Sequence, residues 1–315
     1  MKKYVFGADI GGTTVKLGLF ETTGNLLEVW EIPTRTEEDG KYILSDITAS
    51  IEEKIIQKDI SKTEIEGIGM GVPGPVDEKG QVLGCVNLGW GMFHVEEEMT
   101  KLTGLRAKAG NDANVAALGE MWKGGGVGYK DLIMVTLGTG VGGGIILDGH
   151  IFCGTHGAAG EIGHISMSDD EWECCGCGNK GCLEQYASAN GIVRITKRYL
   201  ENHKDEKTSL RNMESYTSKE IFEEAKKGDR VSLRMVDEVG KLLGKSLAAI
   251  ACVIDPQVFV LGGGMSKAGD MLLGVVKKHY QHYAFHAARN TAFEFATLSN
   301  SAGIYGAAKL VIKED

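Results

Sequence analysis

Four of the seven cysteines fall within nine positions, at Cys174, Cys175, Cys177 and Cys182, and Glu184 follows closely. Thiolates on a glycine-rich turn are soft ligands, and zinc takes four of them or their nitrogen equivalents. His164 stands eleven residues before Cys175, in the run Glu161-Ile-Gly-His164. The best set is therefore His164, Cys175, Cys177 and Cys182, a Cys3His tetrahedron whose filled shell makes it structural. Cys174 is the spare, although spacing alone would let it replace Cys175. The bland alternative is free thiols in a reducing compartment. A disulfide scaffold does not suit a cytoplasmic chain of this length. An ion here would tie the Glu161 segment to the Glu184 segment, and so position groups rather than react.

Other residues could grip or activate a polyhydroxyl ligand. Carboxylates and amides match several hydroxyls at once, which makes Glu161, His164, Glu184 and Asn87, the last in Val-Asn87-Leu-Gly-Trp90, a candidate sugar site. In Gly110-Asn111-Asp112, Asn111 and Asp112 follow an expected strand and open an expected helix. They read either as an N-cap or as a general base that takes a hydroxyl proton during phosphoryl transfer.

Two glycine loops could hold phosphates. One is Asp9-Ile-Gly11-Gly12-Thr13-Thr14, and the other begins Gly138-Thr139-Gly140. Successive peptide N–H groups in such turns form anion-binding hollows, and Asp9 could hold magnesium through water. The second loop contains G-x-G-x-x-G at Gly138, Gly140 and Gly143, but Ile145-Ile-Leu and then Asp148-Gly149 follow instead of a helix. A dinucleotide site needs that helix, so the loop is expected to join two strands. Gly240 to Ser246 approaches a phosphate-binding P-loop but lies in a helical pattern.

These residues need elements to position them. The pattern predicts strand, glycine turn and strand over 4–20, a strand over 26–32, an amphipathic helix over 43–56 and a strand over 65–72. The plan recurs with strands over 132–137 and 145–147, a long helix over 232–253 and a strand over 258–261, which suggests two related α/β units. A helix is expected over 302–312, with no obvious partner. The chain has 315 residues, 43% of them hydrophobic and 24% charged, which is ordinary globular composition. Its net charge of −9, with no basic stripe, argues against nucleic acid as a partner. No apolar run reaches the ~20 residues of a membrane span, and the start breaks off at Asp9 before it resembles a signal peptide. A cytoplasmic protein is the expectation.

In this order, DIGGTT, GVPGPVD, VNLGW, GNDANVAALGE, VTLGTGVGGG, EIGH, CGCGNKGCLE and VFVLGGG resemble the signatures of the ROK sugar kinases, most closely their bacterial glucokinases. The resemblance spans residues 4–312. It implies an α/β, actin-like ATPase fold: two RNase H-like domains with a ligand cleft between them. The expected division is 1–118 plus 300–315 as the small domain and 119–299 as the large one. The implied activity is ATP-dependent phosphorylation of a hexose at O6, with Mg2+ and a structural Zn2+; VNLGW and GNDANVAALGE lean towards glucose by resemblance, and the alternatives are a kinase for mannose, fructose or an N-acetylhexosamine, or a non-catalytic sugar sensor. Asp112 matches the family's base. Gly71, Gly74, Asn87, Asn111, Glu161, His164 and Glu184 match the sugar site, and His164, Cys175, Cys177 and Cys182 match the zinc ligands. Residues 11–14, Gly138 and Thr139 match the phosphate contacts, and Gly262, Gly263 and Gly264 match the nucleoside end. Thr14 stands where many relatives carry Lys. A homodimer is the family default. Family repressors carry a DNA-reading region before the kinase-like part; here the first strand starts at Tyr4, so none is expected.

Overall fold

The structure is a computed structural model that describes residues 2–313. Strands β1 (Tyr4–Ile10) and β2 (Thr14–Glu21) form an antiparallel hairpin whose register runs from Tyr4↔Glu21 to Ile10↔Val15. Strand β3 (Leu26–Pro33) pairs with β2 at the sheet edge. Its side chains alternate between half-buried and exposed, as expected of a strand with one covered face. Helix α1 (Ile43–Gln57) buries Ile43, Leu44, Ile47, Ile51 and Ile55. Each such burial is worth roughly 1.5–3 kcal/mol. That outweighs the weak helix propensity of isoleucine, at most about 0.7 kcal/mol per residue.

Strand β4 (Ile65–Val72), helix α2 (Val95–Thr103), strand β5 (Ala107–Asn111) and helix α3 (Asp112–Lys123) follow. β1, β4 and β5 run parallel, with Asp9 opposite Gly71 and Gly71 opposite Gly110. The sheet order is β3-β2-β1-β4-β5. Asp9 and Asn111 therefore reach the carboxyl ends of the parallel strands on either side of β4, the end at which open α/β sheets bind ligands.

The principal later elements are β6 (Leu132–Leu137), β7 (Val141–Leu147), β8 (His150–Ile151), α4 (Ala189–Asn202), α5 (Ser218–Lys226), α6 (Arg230–Ile254), β9 (Val258–Gly262), α7 (Asp270–Tyr283), β10 (Ala292–Phe295) and α8 (Ala302–Val311). The second sheet has the order β8-β7-β6-β9-β10, the first sheet's order repeated strand for strand. The second glycine loop joins β6 to β7, two strands, which disposes of the dinucleotide reading. Gly240 to Ser246 lies inside α6.

The chain divides into two compact units: residues 1–132, 144–160 and 297–315, and residues 133–143 and 161–296. The expected boundary at 118/119 falls within α3, which this division keeps in one unit. Helix α8 packs on α3, β1 and β4, so the C-terminal segment and the whole of α3 belong to one core. Among the described residues, no helix is long and apolar enough to cross a membrane.

Candidate functional site

In the first unit, the turn after β1 is closed by the Gly11 N–H, which donates to the Thr14 carbonyl at 3.0 Å, and by the Thr34 hydroxyl, which donates to the Gly11 carbonyl at 2.7 Å. Gly12, Thr13 and Thr14 are exposed. Asp9 ends in a narrow place: a Cβ on Gly303, at the start of α8, would collide with its carboxylate. Burial raises the Asp9 pKa to about 6, the charge of Asp112 adds to this, and Lys16 opposes it. Two carboxylates that feel each other's charge beside a glycine turn make a fitting place for a divalent cation.

Asn111 is the N-cap of α3. Its Oδ1 accepts from Ala113 N–H at 3.0 Å and Asn114 N–H at 3.3 Å, and its Nδ2 donates to the Gly74 carbonyl at 3.2 Å. The side chain expected at the sugar thus has a capping role, and it also ties Gly74 to the helix start. Asp112 is the first helical residue. It is exposed, and its Oδ1 accepts from Ala113 N–H at 2.8 Å. Asn111 takes the capping role, and Asp112 is exposed at the first helical position. Gly71 is buried within β4, and Asn87 is exposed on a short turn, Val86–Leu88, whose backbone lies near Gly12.

In the second unit, Gly138 N–H donates to the Gly140 carbonyl at 3.0 Å, and Ala189 N–H donates to the Gly138 carbonyl at 2.8 Å. The β6–β7 turn is thereby fixed to the start of α4. Thr139 is exposed at its tip. Gly262 ends β9, and Gly263 and Gly264 are exposed beyond it.

The cysteine cluster is drawn together by irregular backbone. Leu183 N–H donates to Ile165 O at 2.9 Å and Met167 N–H to Gly181 O at 2.7 Å, which lays the Cys182 segment beside the His164 segment. Cys175 N–H donates to Asn179 O at 2.7 Å and closes the knuckle. One ligand atom from each of His164, Cys175, Cys177 and Cys182 lies within 4.8 Å of all the others. Cys177 Sγ and Cys182 Sγ are 3.6 Å apart, and Cys175 Sγ is 3.7 Å from His164 Nδ1. A tetrahedron of Zn–S bonds near 2.3 Å has sulfur–sulfur edges of about 3.75 Å, so this donor set fits zinc. The geometry selects Cys175 over Cys174, which is exposed and outside the group.

The two acids adjoin this cluster. Glu161 Oε2 is 3.8 Å from His164 Nε2, and Glu184 Oε1 is 3.8 Å from His164 Nδ1. Glu184 Oε1 also accepts from Cys175 Sγ at 2.9 Å. Burial pushes the Cys175 thiol up to about 12, and the Glu184 carboxylate adds to the rise. Glu184 lies against the phosphate-type turn as well: a Cβ on Gly140 would come 2.5 Å from Glu184 Oε2. A cavity of about 420 Å3 opens here, lined by Thr139, Gly140, Cys174, Glu184, Asn190 and Arg194 among others.

Sequence reasoning missed two buried acids. Glu171 is held by Arg194 and Arg198. Glu120 accepts from the N–H groups of Gly125, Thr297 and Leu298, each at 2.9 Å. Glu171 stands in no motif, and Glu120 closes GNDANVAALGE without any mark of its role; Arg194 and Arg198, and Thr297 and Leu298, are remote in sequence, so no local signal pointed to these pairings.

The repeated strand order and paired glycine turns define an actin-like ATPase fold, which ROK structures share. Residues 5–314 match the ROK family model, and the chain belongs to the ROK family. It is 40% identical to a glucokinase of Halalkalibacterium halodurans, over 99% of this chain and 96% of that one. The crystal structure of a ROK family glucokinase from Streptomyces griseus, in complex with glucose and AMPPNP, is 33% identical, with 98% of each chain covered and a TM-score of 0.72. An N-acetyl-D-glucosamine kinase of Aliivibrio salmonicida is 31% identical over 98% of this chain and 99% of that one.

Proposed function

We propose that this protein is an ATP-dependent hexose kinase that phosphorylates glucose at O6. One observation carries the reading: His164 stands between two carboxylates and among three thiols, so the metal site and the hydroxyl-binding acids form a single construction. Relatives named glucokinase, and the Streptomyces griseus structure with glucose and an ATP analogue, support it.

Glu161, His164, Glu184 and Asn87 match the sugar hydroxyls, with Gly71 and Gly74 shaping the adjoining backbone. His164, Cys175, Cys177 and Cys182 would hold zinc, which would supply a fixed scaffold and no reactive position. With Nδ1 of His164 turned to the thiols, its Nε2 is left on the Glu161 side to meet a hydroxyl. Asp112 accepts the proton of the 6-hydroxyl as that oxygen bonds to the γ-phosphorus, and the bond to the β-phosphate oxygen breaks to release ADP. Peptide N–H groups of residues 11–14 and 138–139 offset charge on the phosphoryl oxygens. Asp9 would hold the magnesium that arrives with ATP, an ion that would supply neutralisation of phosphate charge there. Residues 262–264 border the nucleoside.

A second reading, a kinase for an N-acetylhexosamine, is favoured by one finding: the Aliivibrio salmonicida relative covers nearly the whole chain at similar identity to several glucokinases. ADP release measured over a panel of glucose, mannose, fructose, N-acetylglucosamine and N-acetylmannosamine separates the two. Glucose should give the highest kcat/KM. A higher value for an N-acetylated sugar would replace glucose in the assignment, and no turnover with any hexose would reject the kinase reading.

A further inference from the structure

The segment that carries Glu184 is gripped at a second place, by a charge cluster that the proposed chemistry does not use. The Glu171 side chain is 1% exposed. Its Oε1 accepts from Trp172 N–H, Glu173 N–H and Arg198 Nη2, each at 3.0 Å. Its Oε2 accepts from Arg194 Nη2, Arg198 Nη1 and the Tyr186 hydroxyl, each at 2.9 Å. Both guanidinium groups then reach Glu173, at 2.9 Å and 2.7 Å. Burial opposes the ionisation of Glu171, but Arg198, the Glu173 N–H, Arg194 and Tyr186 together hold it well below the usual carboxylate range.

The cluster is joined to the cysteine segment through Gln185. Arg194 Nε donates to the Gln185 carbonyl at 3.0 Å. The Gln185 side chain donates to Glu173 O at 3.1 Å and accepts from Cys182 N–H at 3.1 Å. Gln185 is the neighbour of Glu184, and both lie in one helical turn, Glu184–Ala187. A turn of that length cannot hold itself, because one turn of helix costs more order than its hydrogen bonds return. A buried ion cluster is a poor source of net stability, but a fully bonded one fixes geometry.

We infer that Glu171, with Arg194 and Arg198, is a positioning residue for Glu184, acting through Gln185. The sugar-binding segment is then fastened twice, by the metal on its cysteine side and by this cluster on its helix side. The functional consequence rests on the sugar-kinase reading. Two variants of the full chain test it. Glu171→Gln removes the charge on which both arginines converge. The milder Gln185→Ala leaves the ion cluster intact and removes only the side-chain relay. In both, the glucose KM should rise about tenfold or more while the ATP KM stays within about twofold. Hydrogen exchange should accelerate over residues 173–187, with zinc content unchanged. A folded Gln185→Ala protein with unaltered glucose KM overturns the inference. So does an equal rise in both KM values, loss of zinc from Gln185→Ala, or unchanged exchange in both variants. The exchange measurement needs no substrate, so a wild-type protein inert towards every hexose would reject the kinase reading and leave the positioning role to be judged by exchange alone.

Discussion

The two sheets share one strand order and one glycine hairpin, yet they carry different work. In the first, β5 runs straight into α3, so Asp112 sits where strand becomes helix. In the second, the corresponding strand β10 is followed by the run Thr297-Leu298-Ser299-Asn300-Ser301 before α8, and no acid stands there. The second unit places its acids instead beyond β8, on the loop at Glu161 and on the lone helical turn at Glu184, beside thiols, an imidazole and the Glu171 cluster. A carboxylate at a strand end is held by regular hydrogen bonding and needs little help. A carboxylate on a loop needs an external brace to have a fixed position, and this one has two.

That contrast can be broken from either side. The largest effect should come from Asp112→Asn, because an amide cannot take the hydroxyl proton: kcat should fall by roughly 10^2–10^4-fold with sugar binding retained. Near-normal turnover in a coupled ADP-release assay would remove Asp112 from the base role. Next, Cys182→Ser should lose zinc, raise the sugar KM steeply and lower the melting temperature by several degrees. Full activity in a preparation shown by elemental analysis to lack zinc would dissolve the idea of a braced loop. Gly140→Ala should be milder. The new methyl group displaces Glu184, so the glucose KM should rise by about tenfold with the ATP KM less affected. If the ATP KM suffered more, Gly140 would serve the phosphates alone.

The smallest effect concerns Asp9. Its folded pKa of about 6 lies above its ordinary value of 3.8. The folded state therefore binds the extra proton, and the contribution of this group to stability is fully present below pH 3.8 and falls as pH rises to about 6. Asp9→Asn should raise the melting temperature slightly at pH 7 and flatten its pH dependence in that window, while weakening the response to Mg2+. A lower melting temperature at pH 7 would show that burial does not disfavour the charge.

Much of this was legible in local pattern. Ile65–Val72 is the strand that its apolar run predicts, and α1 spans the expected isoleucine stripe. The His164, Cys175, Cys177 and Cys182 set could be read from ligand chemistry and spacing, and the structure brings the four together. A helix such as α3 gives no local sign of which core it joins. Glu171 gave no sign either: its partners Arg194 and Arg198 lie 23 and 27 residues away.

The order of residues alone determined the strands, the glycine turns and the cysteine-rich segment as a candidate metal-binding stretch, since these depend on side-chain chemistry within a few positions. Tertiary structure alone decided that Asn111 caps while Asp112 projects, that Cys175 rather than Cys174 joins the cluster, and that Glu184 rests against Gly140 beside a buried ion network. Those outcomes depend on which distant segments share a core, and residue spacing does not encode that.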